Sequence, residues 1–191
     1  MRVVKDLADE LSEADLAVFG IEDQGDMASP AGITSIGYSL DALPDRATFL
    51  DEAARHVAHA RRSEHPLCFA LVAFDHGTTG EGAEGHIAEE AFLTEATARW
   101  RDVLRAEDLM GRWGEDEFAI VLVNCTTVSA VQLCWRLREE TPEGHSFSAG
   151  LASYQGTETV DDLVDRADDC LAQARAKGRD RTVAEGLVDL D

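Results

Sequence analysis

Three consecutive carboxylates stand in the stretch Gly114-Glu115-Asp116-Glu117-Phe118. Like charges in a row repel one another, so a cation or solvent must offset them. Carboxylate clusters of this kind suit Mg²⁺ bound together with nucleotide phosphates. Asp75 follows an apolar run of strand length and is the predicted partner carboxylate. The composition leaves a second interpretation open, an exposed acidic turn, because 38 of the 191 residues are Asp or Glu.

Basic residues are concentrated in two short segments, 99–112 and 175–181, which hold eight of the 17 Lys and Arg residues. Seven of the eight are Arg, whose planar guanidinium matches phosphate and carboxylate groups. These segments are the predicted places for an anionic ligand. The alternative is that they are two helix ends whose bases face the C-terminal dipole.

Helices and strands alternate along the chain in the order helix, strand, helix, hairpin, helix, strand, helix, strand. Leu67 to Phe74 is apolar at every position, as in a central strand. Two short runs, Leu109 to Trp113 and Phe118 to Val123, flank a glycine-containing turn and predict a hairpin. This pattern predicts an α/β fold of the α+β type, a mostly antiparallel five-stranded sheet flanked by helices.

The chain divides into an acidic lead segment with a short helix and linker (1–37), one domain (38–185) and a tail (186–191). Its net charge of −21 with 45% apolar residues indicates a globular domain with an acidic surface. Such a surface repels polyanions, which excludes a general nucleic-acid or anionic-membrane binder. Without a signal peptide or a membrane-length apolar run, we expect a cytoplasmic protein with reduced cysteines.

Further motifs fall in a fixed order around the acidic turn. They are Leu43-Pro44-Asp45-Arg46, Gly85-His86, Ser148-Ala149-Gly150, Ala167-Asp168 and Ala174-Arg175-Ala176-Lys177-Gly178-Arg179. With Arg112 to Phe118 they resemble the GGDEF family of diguanylate cyclases over about residues 38 to 183. The resemblance implies a nucleotide-cyclase, ferredoxin-like fold, two GTP molecules as substrates, cyclic di-GMP as product, Mg²⁺ as cofactor and a homodimer.

The resemblance also implies roles for individual residues. Asp116 aligns with a metal ligand and Glu117 with a catalytic acid, while Arg175 and Arg179 align with phosphate-binding bases. Arg105-Ala106-Glu107-Asp108 aligns with the inhibitory site that binds the product. The nucleotide pocket aligns with Gly114, Glu115, Glu81 and Glu90.

The aligned pocket departs from the family at five positions, which predicts impaired GTP cyclisation. Where the family has a metal-binding Asp, this chain has Ala73. Asp75 lies roughly 6.6 Å further along the strand, and Mg²⁺ with bonds of about 2.1 Å does not tolerate such a displacement. The other replacements are Thr78 for Lys, Glu81 and Glu90 for the guanine-reading Asn and Asp, and Glu115 for the second Gly.

The motif Arg-x-x-Asp is weak by itself, since 15 Arg and 20 Asp residues in this chain predict about 1.6 chance matches. The chain has three, beginning at Arg99, Arg105 and Arg166. Its position five residues ahead of Gly114 selects Arg105 with Asp108. The alternative is a surface ion pair between residues three apart.

Three functional hypotheses follow. The favoured one is a catalytically impaired GGDEF domain that acts as a regulatory module and binds cyclic di-GMP, GTP or a partner protein. The second is an active diguanylate cyclase whose metal site is rebuilt by Asp75, Glu81 or Glu115. The third is a protein interaction domain without a nucleotide ligand.

Overall fold

A computed structural model of the chain describes residues 40–75 and 83–186, with residues 83–87 as backbone only. The predicted lead-segment helix, most of the tail and Glu81 lie outside the described residues. A 3₁₀ turn, Leu40–Ala42, precedes the first helix. The elements that follow are α1 (Arg46–Ser63), β1 (Leu67–Asp75), α2 (Ala83–Val103), β2 (Leu109–Arg112), β3 (Glu117–Val123), α3 (Thr127–Glu139), β4 (Ser146–Ser153), α4 (Val160–Ala176) and β5 (Thr182–Ala184).

The sheet has the order β2-β3-β1-β4-β5, with β1 at its centre. β1 is antiparallel to both β3 and β4, and β2 and β3 form the predicted hairpin. Only the pairing of β4 with β5 is parallel among the described strands. The predicted mostly antiparallel five-stranded sheet is confirmed, and its register places Ala73 of β1 beside Glu117 of β3 and Ser148 of β4.

Both faces of β1 are covered by helices, which explains why its sequence is apolar at every position. Residues Cys68, Ala70, Val72 and Phe74 pack in one core layer with α2 and α3. Leu67, Phe69, Leu71 and Ala73 pack in the other with α1 and α4. Trp100 of α2 stacks on Phe74 with ring centroids 4.9 Å apart, and its indole N–H donates to the Leu137 carbonyl at 3.0 Å.

Three helices begin at polar residues that accept hydrogen bonds from unpaired N–H groups of the first turn. Asp45 accepts from the Thr48 N–H at the start of α1, and Thr126 accepts from the Ser129 N–H at the start of α3. At α4, Thr159 and Asp162 form the predicted capping box. Gly178 follows that helix with φ of 110°, the left-handed conformation that ends helices.

The strand ends differ from the sequence-based expectation by single residues: β1 extends to Asp75, β3 begins at Glu117, and β2 ends at Arg112 rather than Trp113. Beyond Arg112 the N–H groups of Trp113 and Gly114 both donate to the Glu117 carbonyl, at 2.8 and 3.0 Å, and close the turn. In the described part of the chain, none of the helices is long and apolar enough to cross a bilayer.

Candidate functional site

The acidic hairpin turn is held by Arg112, a residue to which the sequence assigned no separate role. The Arg112 guanidinium donates to the carbonyl oxygens of Gly114 and Glu115, each at 3.1 Å. The Gly114 N–H donates to the Glu117 carbonyl at 3.0 Å. This fixed turn leaves Glu115 exposed. The sequence did contain a hint of this contact, because Arg112 stands two residues before the turn residue Gly114.

An aromatic cluster anchors the base of the same turn. Trp113 packs edge-on against Phe49 of α1 and Phe69 of β1, with centroid separations of 6.2 and 6.3 Å. The Arg46 guanidinium lies 4.2 Å from the Trp113 ring centroid, a cation–π contact. The hairpin is therefore tied both to the central strand and to the first helix.

Glu117 and Arg175 contact each other directly. The family resemblance implies a catalytic acid at Glu117 and a phosphate-binding base at Arg175. The Arg175 guanidinium donates to Glu117 Oε1 at 2.7 Å, and both side chains are partly exposed. Each group therefore neutralises the other. Binding of an anionic ligand by Arg175 would compete with this ion pair.

Asp75 is the centre of a hydrogen-bond cluster at the end of β1. Its carboxylate accepts from the Ser148 hydroxyl at 2.7 Å, the Ser146 hydroxyl at 2.9 Å and the Asp180 N–H at 2.9 Å. Ser146 and Ser148 alternate along β4, so both face the same side as Asp75. The sequence did not predict these contacts, because they join three segments that are far apart in the chain.

The described carboxylates do not fit a two-carboxylate Mg²⁺ site. Three of the roughly four acceptor positions of Asp75 already hold hydrogen bonds, and the neighbouring family ligand position is the buried Ala73. The backbone of Asp116 lies beside the end of β1, because its carbonyl accepts from the Phe74 N–H at 3.1 Å. Within residues 40–75 and 83–186, no three His, Cys, Asp or Glu side chains cluster around one point.

Arg179 lies in a tightly constrained loop between α4 and β5. Gly178, Arg179 and Asp180 all have positive φ, at 110°, 61° and 47°. The loop is held by the Asp180 N–H on Asp75 and by an ion pair, 3.1 Å long, between Asp180 and Arg138 of α3. Arg179 itself is exposed at the end of this loop.

Arg105 and Asp108 lie at the other end of β2, a four-residue strand that spans roughly 13 Å. The two Asp108 carboxylate oxygens accept from the Arg105 N–H at 3.0 Å and the Val123 N–H at 3.1 Å. The carboxylate therefore fixes the turn between α2 and β2 against the end of β3. This contact differs from the side-chain ion pair that was the alternative expectation.

Two clefts meet at Arg105 and Asp108. One, of about 280 Å³, lies between α2, β3 and α3 and is also lined by Cys125 and Arg136. The other, of about 590 Å³, lies beside the start of α1 and β2 and is also lined by Glu52 and Arg101. Arg136 was not singled out in the sequence, since α3 carries no motif.

The predicted site residues thus fall into separate groups. The hairpin carries Gly114, Glu115, Asp116 and Glu117, of which Glu117 contacts Arg175. Asp75 instead binds β4 and the loop after α4. Arg105 and Asp108 form a second location. Glu90 lies exposed on α2.

Comparison with known proteins identifies the class to which this fold and hairpin belong. Residues 39–181 match the family model "Diguanylate cyclase, GGDEF domain". The diguanylate cyclase DgcP of Pseudomonas aeruginosa is 30% identical over an alignment of 152 residues, and the match covers 74% of this chain and 23% of DgcP. The match covers 30% of a second relative, the diguanylate cyclase DosC of Escherichia coli, so the chain spans less than a third of the length of either relative.

Solved structures agree with the fold. The GGDEF domain of DgcB from Caulobacter crescentus in complex with c-di-GMP has a TM-score of 0.70 at 21% identity, covering 80% of this chain and 98% of that one. Diguanylate cyclase SiaD of Pseudomonas aeruginosa, solved with its activator SiaC, has a TM-score of 0.69 at 24% identity, covering 96% of this chain and 69% of SiaD. The chain belongs to the GGDEF family, and it is a diguanylate cyclase-like domain.

Proposed function

We propose that this domain is a regulatory GGDEF domain with impaired cyclisation, and that it binds cyclic di-GMP at Arg105 and Asp108. The observation that carries the first half is the end of β1. Ala73 is fully buried where the family places a metal-binding Asp, and the next carboxylate along β1, Asp75, already accepts three hydrogen bonds. The Glu117–Arg175 ion pair opposes phosphate binding at the same site.

The chemistry of the second location supports the choice of ligand. A guanidinium such as that of Arg105 can donate two parallel hydrogen bonds to a phosphate or to the acceptor edge of guanine. The Asp108 carboxylate is oriented by two backbone N–H groups and retains lone pairs for guanine N–H donors. Both residues line clefts on two sides.

Calorimetry and thermal unfolding of the full chain test ligand binding. At a concentration a hundred times Kd, cyclic di-GMP stabilises a one-site protein by about 2.7 kcal/mol, which raises Tm by roughly 5 to 10 °C. We expect Arg105→Ala to weaken binding by about 10- to 100-fold, because it removes charge-assisted hydrogen bonds.

Arg99→Ala is the matched control, because Arg99 begins another Arg-x-x-Asp sequence six residues earlier, on α2, and pairs with Glu95 at 2.5 Å. We expect it to bind like the parent chain. Absence of binding at high micromolar ligand, or equal losses in both variants, would contradict the ligand assignment.

The alternative function is an active cyclase, favoured by the retained carboxylates Asp116 and Glu117 and by the contact of Glu117 with Arg175. Incubation with GTP and Mg²⁺ or Mn²⁺ at dimer-permitting protein concentrations distinguishes the two, and we expect no cyclic di-GMP by chromatography. Product formation would overturn the proposed impairment without affecting the cyclic di-GMP site. GTP as an effector and a partner protein are further candidates, tested by including GTP and GDP in the same thermal-shift panel.

A further inference from the structure

The outer face of α3 presents two large apolar side chains to solvent. Val128 is 57% exposed and Trp135 is 38% exposed, and within the described segments no other large hydrophobic side chain is exposed. Gln132 and Glu139 are exposed on the same stripe, because positions 128, 132, 135 and 139 follow the four- and three-residue spacing of one helix face. The buried residues of α3 are Ala130, Cys134 and Leu137. The stripe therefore faces away from the core and leaves apolar surface in contact with water.

The exposed charges at the ends of α3 are the reverse of what the helix dipole favours. Its first turn has no acidic residue, although negative charge is stabilising at a helix N-terminus. Glu139 and Glu140 are instead exposed at the C-terminal end. Arg136 and Arg138 of the last turn donate to backbone carbonyls of the same domain. The N-terminal end of α3 is thus open to an acidic group, and its C-terminal end supplies two.

Both features fit a second copy of the same helix. In an antiparallel pair of α3 helices, each Trp135 lies over the partner's Val128. Each Glu139 lies beside the N-terminal end of the other α3, where free backbone N–H groups attract negative charge. The surface is therefore self-complementary in its apolar and its charged parts, as a two-fold symmetric dimer requires. Trp is also among the residues most enriched at the centres of protein interfaces.

We propose that the outer face of α3 is a homodimer surface, on which Val128 and Trp135 pack antiparallel against the same helix of a second copy. The dimer needs no nucleotide, so the proposal goes beyond the cyclic di-GMP site and does not depend on it.

The contact of Trp135 with Val128 fixes the register of the two helices. The two-fold axis passes between residues 131 and 132. With a rise of 1.5 Å per residue, the two copies of Gln132 are offset by roughly 1.5 Å along the helix axis, and the two copies of Glu139 by roughly 22 Å. Packed helix axes lie about 8 to 10 Å apart, so Gln132 can meet its own counterpart and Glu139 cannot.

Sedimentation velocity of the ligand-free full chain across micromolar concentrations tests the association. A buffer with 150 mM NaCl shortens the Debye length to about 8 Å and screens the repulsion between two copies of net charge −21. We expect a reversible monomer–dimer equilibrium. Trp135→Glu should raise the dimer Kd by at least about tenfold with a parent-like Tm, because the side chain is exposed. Trp135→Leu should keep most of the association, since it remains apolar.

A charge reversal tests the antiparallel arrangement. Glu139→Lys should raise the dimer Kd by about two- to fivefold, because it places a cation at the N-terminus of the partner helix. The same change makes each copy less negative, which by itself would favour association. Asp51→Lys is the matched control, an identical charge change at an exposed position on α1, on the other face of the sheet. It should not weaken the dimer.

Cysteine cross-linking tests the register. Under mild oxidation, Gln132→Cys should form an intermolecular disulfide that dithiothreitol reverses, at a rate well above that of Glu139→Cys or of the parent chain with its native cysteines. A chain that stays monomeric at every concentration, a Trp135→Glu variant that associates like the parent, or equal cross-linking of the two cysteine variants would overturn the proposal.

Discussion

Asp75, the carboxylate that the sequence suggested as a metal ligand, is bound instead by donors of the protein itself. Its oxygens accept from two serine hydroxyls and one backbone N–H, and these donors come from β4 and from the loop after α4. The loop carries Arg179, so Asp75 positions a candidate phosphate-binding residue without contacting phosphate. Ser148 is fully buried, so loss of its acceptor would leave a buried donor unpaired.

We therefore predict that Asp75→Ala lowers the free energy of unfolding by about 2 to 3 kcal/mol, because buried and charge-assisted hydrogen bonds are lost together. Urea titration measures the change. Asp75→Asn should lower the free energy of unfolding by less, because a serine hydroxyl that donates to the carboxylate can instead accept from the new amide N–H. The exposed Asp165→Ala is the control, and a parent-like midpoint for Asp75→Ala would show that this cluster contributes little.

The sequence alone could select candidate residues by type and position, but it could not predict what those residues contact. Arg105 was selected among three similar motifs by position. The structure gives the other two motif arginines ion-pair partners: Arg99 pairs with Glu95, and Arg166 pairs with Glu158 and Glu185. The contacts of Asp75 could not be predicted, because they depend on the register of β1 with β4 and on a loop with three consecutive positive φ angles.

At the scale of elements, the packing of α4 on the sheet depends on Gly150 of β4. A Cβ atom there would lie 2.1 Å from the Ala167 carbonyl oxygen and 2.2 Å from the Leu171 nitrogen. Both neighbours are helix backbone, so neither can move without displacing α4.

Gly150→Ala should destabilise the domain by about 3 kcal/mol, because overpacking forces the helix away from the strand. The corresponding fall in Tm is roughly 6 to 12 °C. Gly144→Ala is the control for backbone strain without a steric clash. Gly144 has φ of 85°, but no atom lies within 4 Å of an added Cβ. That control should cost about 1 kcal/mol, and equal losses in the two variants would argue against the clash.

The helix caps give the domain a defined acid sensitivity. The Thr48 N–H and hydroxyl lower the pKa of Asp45, and the Thr159 hydroxyl and N–H lower the pKa of Asp162. Because these folded-state pKa values lie below the unfolded ones, the unfolded chain binds more protons in acid. Their stabilisation is present above the unfolded value near 4 and is lost as pH falls through the folded value.

We predict that Asp162→Asn weakens the dependence of unfolding free energy on pH below about 4, because it removes one of the two carboxylate caps. Urea titrations between pH 5 and 2.5 measure this slope. Asp51→Asn, at an exposed position on α1, is the control. A slope unchanged by Asp162→Asn would show that other carboxylates govern acid unfolding.

The order of elements was predictable because each has a local signal. The uninterrupted apolar run marks the central strand, and Thr159 with Asp162 marks the start of α4. The end of β2 was less predictable, because it depends on the Arg112 side chain, which donates to the Gly114 carbonyl, and on the Gly114 N–H, which shares the Glu117 carbonyl with Trp113. Helix and strand identity is local information, whereas turn closure is decided by particular side chains.

At the scale of the whole molecule, charge acts on stability in two opposing ways, through repulsion among carboxylates and through ion pairs between elements. The chain carries a net charge of −21, and self-repulsion among its carboxylates favours expansion. Against this stand ion pairs that join separate elements, Glu117 with Arg175, Asp180 with Arg138, and Arg166 with Glu158 and Glu185. Partly exposed pairs of this kind contribute about 0 to 1 kcal/mol each, so repulsion should dominate.

We predict that raising NaCl from 10 to 150 mM stabilises the domain and raises Tm by a few degrees, because the Debye length falls from about 30 Å to 8 Å and long-range repulsion is screened. Calorimetric scans across this range test the sign. Arg166→Gln should steepen the salt dependence, because it raises the net negative charge and removes an ion-pair network that salt weakens. A fall in Tm with salt would show that the ion pairs outweigh the repulsion of the acidic surface.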